Sequence, residues 1–173
     1  VTIPIPGTLN SAIDEFKPEI VHSHFPFVIG STALRISQSY SIPLVFTYHT
    51  MYERYIHYIS ADSDYIKTFV KSITGGYADL CDLVIAPSSG IAGVLKSRGV
   101  KSRIEPVPTG VDIDAYSKGD GNKVRKKYDI DRDSFVIGHL GRIAEEKNLH
   151  FLFKSVTKFL KKHHEVIFLV VGD

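Results

Sequence analysis

The residues best equipped for chemistry lie toward the end of the chain, in "FVIGHLGRIAEEKNLHFLFKSV", Phe135 to Val156. An apolar run ends near Gly138 to Arg142 and helical periodicity begins near Glu145 to Lys147, which puts Arg142 in a loop and Lys147 in the first turn of a helix. That first turn leaves backbone N–H groups unpaired and carries a partial positive charge, so two cations converging there outline a site for a diphosphate. Gly138 and Gly141 permit close approach to the backbone. The spacing is neither GxGxxG nor that of a P-loop, so the dinucleotide-oxidoreductase and kinase fingerprints are absent. Without that convergence, Arg142 and Lys147 read as solvated surface charges.

Three further segments hold reactive or sugar-compatible side chains. In "HSHFPF", His22 to Phe27, two histidines two apart on an extended stretch point to one side. A zinc site would need a third His or Cys in metal-ligand spacing, and none lies nearby. His24 either packs against Phe25 and Pro26 or lines a cleft where a strand feeds its loop. "TYHTMYERYIHYIS", residues 47 to 60, holds four tyrosines, two histidines and the neighbours Glu53 and Arg54. Aromatic rings cover sugar rings and lipid chains well, and their hydroxyls satisfy polar groups; the alternative is that these tyrosines cover a sheet edge. His49 leaves its strand at the ligand end and is placed to hydrogen-bond a sugar hydroxyl. "PVPTGVD", Pro106 to Asp112, defines a rigid turn in which Gly110 is expected at positive φ.

The elements that position these residues alternate. Short runs rich in Val, Ile and Phe at 18–22, 43–48, 83–86, 104–107, 135–140 and 166–171 read as buried strands. Between them Tyr65, Ile66, Phe69, Val70, Ile73 and Tyr77 keep three-to-four spacing, as do Leu149, Leu152, Phe153, Val156, Phe159 and Leu160. This alternation predicts an α/β fold of Rossmann-like, doubly wound parallel sheets with crossover helices, in which ligands sit beyond the carboxyl ends of the strands. Between Gly110 and Ser134 periodicity lapses and charges accumulate, which marks a surface connection. The expected organisation is one Rossmann-like domain over 1–110, a connection over 111–133 and the start of a second over 134–173. A helix over roughly 146–163 sets Lys154, Lys158, Lys161 and Lys162 opposite its apolar stripe, either as a solvated face or as a surface for an anionic membrane.

Composition narrows the classes. With 173 residues, 43% hydrophobic, the chain has ample material for a core. A net charge of +2, from 21 Lys and Arg against 19 Asp and Glu, is too small for a nucleic-acid binder. One cysteine, Cys81, excludes an intrachain disulfide and suits a reducing, cytoplasmic setting. No run approaches the ~18 apolar residues of a membrane span. The chain opens at Val1 and stops at Asp173 just after a strand, so both domains are expected to continue beyond it.

In their order, "HSHFPF", "YHT", "IAPS", "PVPTGVD", "GRIAEEKN" and "VVGD" resemble the retaining family 4 glycosyltransferases of the GT-B two-domain fold. The run "YHTMYERYIHYI" further resembles their diacylglycerol glucosyltransferase branch, bacterial enzymes that glycosylate membrane lipid from a UDP-sugar. The resemblance implies that Arg142 and Lys147, with Gly141 beside them, bind the donor diphosphate. It implies that His49 lies near the sugar and is the catalytic candidate, with His24, Tyr52, Glu53 and Tyr55 on the acceptor side. The implied donor is UDP-glucose, the acceptor a sugar or a lipid such as diacylglycerol, with no metal or other cofactor required. The implied location is cytoplasmic, peripheral at the inner face of a membrane. Thr109 departs from the Asn usual in the family before Gly110. The family's glycine-rich amino-terminal loop and its paired glutamates seven residues apart do not occur in this sequence, so this chain alone is expected to be inactive. A sugar-nucleotide epimerase of the same architecture and a non-catalytic nucleotide-sugar binding domain remain as competing readings.

Overall fold

The computed structural model describes residues 6–56 and 63–173. His57 and Tyr58 of the tyrosine-rich segment lie outside the described residues. The chain divides into two compact units, Val1–Gly110 and Val111–Asp173.

The first unit runs α1 (Pro6–Phe16), β1 (Val21–Ser23), α2 (Val28–Tyr40), β2 (Leu44–Thr47), a 3-10 turn (Tyr52–Arg54), α3 (Asp64–Asp79), β3 (Leu83–Ala86), α4 (Ser89–Ser97) and β4 (Ile104–Pro106). Its four strands form one parallel sheet in the order β1-β2-β3-β4. Strand β2 is central, registered with Val21 opposite Leu44 on one side and Val45 opposite Leu83 on the other. All four of its residues are buried, which is why Leu44 to Thr47 reads as a continuous apolar run rather than an alternating one. Phe46, Val84 and Ala86 are fully sealed from solvent and meet Leu44, Tyr48, Tyr77, Ala78 and Leu95 in one core. Each large side chain buried there contributes roughly 1.5–3 kcal/mol. The Asp82 carboxylate accepts the Leu44 amide at 2.8 Å and ties the start of β2 to that of β3.

The second unit contains α5 (Ile113–Ser117), α6 (Gly121–Lys127), β5 (Phe135–Leu140), a 3-10 turn (Glu145–Lys147), α7 (Leu149–Leu160) and β6 (Val166–Val171). Strands β5 and β6 pair in parallel from Phe135 opposite Val166 to Leu140 opposite Val171. Beyond them the Gly141 amide bonds to the Val171 carbonyl and the Ile143 amide to the Asp173 carbonyl, so pairing continues into the loop. A side chain at Gly172 would overlap the Gly141 carbonyl, and the two tips approach backbone to backbone.

Several expectations are corrected. The first strand begins at Val21 rather than at residue 18, and only Thr74, Tyr77 and Ala78 of α3 are buried; Tyr65 and Phe69 face outward at 81% and 56% exposure. Segment 111–133 is not a bare connection. Asp112 and Asp120 accept the amides of Ala115 and Asn122 and start two short helices whose length is below what periodicity can register. Gly110 is not at positive φ; among described glycines Gly99 and Gly141 are. The last helix begins at Leu149, because Asn148 adopts a left-handed conformation at φ 50° and ends the 3-10 turn first.

Gly30 opens the first turns of α2 to a close approach. A Cβ there would overlap the Phe25 carbonyl and stand 3.0 Å from the Tyr77 ring, whose hydroxyl donates to the Gly30 carbonyl. Gly30→Ala is expected to destabilise the protein by about 1–3 kcal/mol, read as a lowered urea midpoint; an unchanged midpoint disproves the tight approach.

Candidate functional site

Alternation along β2 and the residues after it sorts their side chains. Tyr48 continues inward at 1% exposure, its amide still held by the Ile85 carbonyl, while His49 turns outward. Strand β1 ends alongside, and the loop after it delivers His24 to the same edge. Nδ1 of His24 lies 2.6 Å from Nε2 of His49, their rings stacked at 4.9 Å and 18°. His22 joins the group: its ring centre is 4.2 Å from that of His24, and its Nε2 is 2.7 Å from the Thr47 hydroxyl. Burial first, then the neighbouring imidazoles, lower the pKa of both His22 and His49 below the ordinary imidazole value. Three imidazoles therefore gather at the carboxyl edge of the sheet. Among the described residues no group of three or more His, Cys, Asp or Glu side chains is arranged to hold a metal ion.

The aromatic residues divide by role. Tyr52 packs edge-on against Phe25, Phe27 and Tyr48 at 5.7, 5.2 and 6.3 Å, and burial pushes its phenol up to about 12. Its hydroxyl donates to the His24 carbonyl at 3.4 Å. Tyr55 is half-buried. Glu53 differs from expectation: it is 5% exposed and turned away from solvent, receiving Nη2 of Arg98 at 2.5 Å. Nη1 of Arg98 donates to the Tyr48 hydroxyl at 3.0 Å. Burial works against the Arg98 cation, and the Glu53 carboxylate outweighs it, raising the arginine pKa. Glu53 thus anchors the 52–54 turn to the end of α4, and Arg54 is not its partner. Arg98 escaped sequence reasoning because 45 residues separate it from Glu53 and no local pattern links them.

In the second unit, Gly141, Arg142 and Lys147 all lie in the loop between β5 and α7. Lys147 sits in the 3-10 turn rather than in the helix itself, and both cations are exposed. The Arg142 guanidinium donates to Glu146 at 2.7 Å. Glu145 and Glu146 offset the local positive charge, a cancellation not weighed in the sequence reading. The Asn148 side chain does not cap α7. An open depression of about 430 Å³ lies beside it, lined by Ile143, Ala144, Glu145, Asn148, Leu149 and His150. Nε2 of His139, one strand residue before the loop, is buried and makes no hydrogen bond among the described residues.

Parallel strands joined by helices, with polar and aromatic side chains gathered where the strands end, define a Rossmann-like α/β fold, the kind in which ligands sit beyond the carboxyl ends of the strands. The chain belongs to Glycosyltransferase Family 4, whose family model matches residues 2–115. The alpha-monoglucosyldiacylglycerol synthase of Streptococcus pneumoniae is 28% identical over 164 residues, covering 92% of this chain and 37% of the synthase. The synthase of the same name from Acholeplasma laidlawii is 26% identical, covering 92% and 42%. A crystal structure of Anabaena HepE in complex with UDP and glucose matches with a TM-score of 0.71 at 19% identity, covering 99% of this chain and 46% of HepE, a likeness of GT-B fold. The chain thus spans less than half the length of each. Among the described residues no helix is long and apolar enough to cross a membrane.

Two outcomes are expected. Arg98→Met leaves the Glu53 carboxylate buried without its partner and should cost about 3–5 kcal/mol of unfolding free energy, part of it recovered by adding Glu53→Gln; no recovery argues against the pair. As pH falls below 6.5, the unfolded chain protonates its histidines before folded His22 and His49 do, so stability should decline with acidification until their lowered folded values are passed. Proton NMR titration checks this, and midpoints at or above 6.5 for both rings contradict it.

Proposed function

We propose that the intact protein is a retaining hexosyltransferase that moves glucose from UDP-glucose to a lipid acceptor, diacylglycerol. The carrying observation is the β5–α7 loop. It presents exposed Arg142 and Lys147 beside a helix whose first amides have no side-chain cap. Charge develops on the departing diphosphate during glycosyl transfer, and two cations with unpaired amides stabilise it by preorganised electrostatics. For this, Arg142, whose side chain is 65% exposed, exchanges Glu146, whose side chain is only 11% exposed, for the diphosphate. No metal is needed in this scheme, and the nucleotide sugar enters as substrate.

His49 is assigned to the sugar that is transferred and His24 and Tyr55 to the acceptor, while Tyr52, packed against Phe25, Phe27 and Tyr48, supports the His24 backbone from beneath. The lipid acceptor is supported by the similarity to the two alpha-monoglucosyldiacylglycerol synthases. Exposed Lys154, Lys158, Lys161 and Lys162, on and just beyond α7, suit peripheral contact with an anionic inner membrane face.

The intact protein given UDP-glucose and diacylglycerol vesicles should release UDP and form a glycolipid. Release of epimerised sugar, or binding without turnover, overturns the assignment in favour of an epimerase or a binding domain. Arg142→Ala is expected to weaken UDP-glucose binding by roughly tenfold to a hundredfold in calorimetry, and unchanged affinity removes the diphosphate role.

A further inference from the structure

Resting on the reading that places His49 at the donor sugar, we propose that His24 is the positioning residue for His49. Its Nδ1 shares a single proton with His49 Nε2 and so fixes the ring orientation and tautomer that His49 presents to a ligand. At 2.6 Å the two nitrogens form one hydrogen bond, in which one ring donates and the other accepts. Both rings cannot be imidazolium in this geometry, because two N–H groups would then face each other. The pair carries at most one positive charge.

The surroundings hold His24 in place for this task. Its ring lies between those of His22 and His49, at 4.2 and 4.9 Å. The Thr47 hydroxyl, on the strand that also delivers His49, bonds His22 and fixes the far end of the stack. Tyr52 bonds the His24 carbonyl and steadies its backbone. The titratable groups around the pair are His22 from β1 and Tyr52 from the 3-10 turn, while Glu53 and Arg98 are turned toward each other. Among the described residues no carboxylate bonds either ring of the pair, so nothing there favours the doubly charged state. A ligand group reaching His49 therefore meets an imidazole whose tautomer is set by its neighbour rather than by bulk solvent.

The test compares His24→Asn, which can keep a hydrogen-bonding group near Nδ1, with His24→Phe, which keeps the ring volume and the stack but no partner. Both are made in the intact protein and read by 1H–15N correlation spectra of the imidazoles across pH 5 to 8, alongside kcat and KM with UDP-glucose. In the wild-type protein the spectra should show one proton shared between His24 Nδ1 and His49 Nε2, with a coupling between the two nitrogens across the hydrogen bond. His24→Phe should move the His49 titration upward, because a like-charged neighbour is gone, and lower kcat by roughly tenfold to a hundredfold with little change in KM. His24→Asn should recover most of kcat. Absence of that shared proton in the wild type overturns the proposal even where a variant fails to fold. So does a His49 titration and ring shift unaltered in His24→Phe, or an Asn variant no better than Phe. Absence of sugar turnover by the wild type sinks the functional reading alone, since the ring spectra still decide how the imidazoles are paired.

Discussion

The first unit is organised by the complete burial of β2. A parallel strand covered on both faces accepts only apolar or hydrogen-bonded side chains along its length, so polar groups can emerge only once it leaves the sheet. Leu44, Val45, Phe46 and Thr47 obey that restriction, and Tyr48 extends it by one residue with its hydroxyl satisfied by Arg98. His49 is the first residue released to solvent. Because β1 runs parallel beside β2 and ends level with it, His22 and the loop bearing His24 arrive at the same edge. The imidazole cluster is a product of register: Ser23 opposite Phe46 leaves the next residues of both strands side by side.

Around that edge the protein separates packing from presentation. Glu53 and Arg98, both largely withdrawn from water, lash the 52–54 turn to the end of α4. Tyr52, wedged among Phe25, Phe27 and Tyr48, closes the other side. What stays open is the row of histidines. In the second unit the loop after β5 follows a different logic: its strand tips touch through glycine backbones, and the exposed Arg142 pairs with Glu146, whose side chain is largely withdrawn from water.

Strands with strong, short apolar runs were legible from sequence, and β3, β5 and β6 lie where periodicity placed them, at 83–86, 135–140 and 166–171. Their signal is local, a short run rich in β-branched and aromatic residues, although β3 is only partly buried and the expected burial of β5 and β6 is not found: neither holds a buried residue. Candidate residues at strand ends, His24 and His49 above all, were legible for the same reason, although their hydrogen bond was not. Partners far apart in the chain stayed hidden: a glutamate in an aromatic run looks ligand-facing until Arg98 turns out to neutralise it. Helices of five and seven residues held by an aspartate at each start are too short for a hydrophobic repeat to reveal. The first turn of α7 was misplaced because one left-handed residue, Asn148, splits what periodicity reads as a continuous helix.

That split has a consequence for how α7 is aimed. A 3-10 turn and an α-helix meeting at a single left-handed hinge need not share an axis, so the direction of the longer element is decoupled from the loop that feeds it. Asparagine tolerates this conformation far better than branched residues do, and glycine would accept it too. The bearing of seven lysine, histidine and aromatic side chains, from His150 to Lys161, is thereby governed by the torsions of one amide-bearing residue, a narrow pivot for a broad surface.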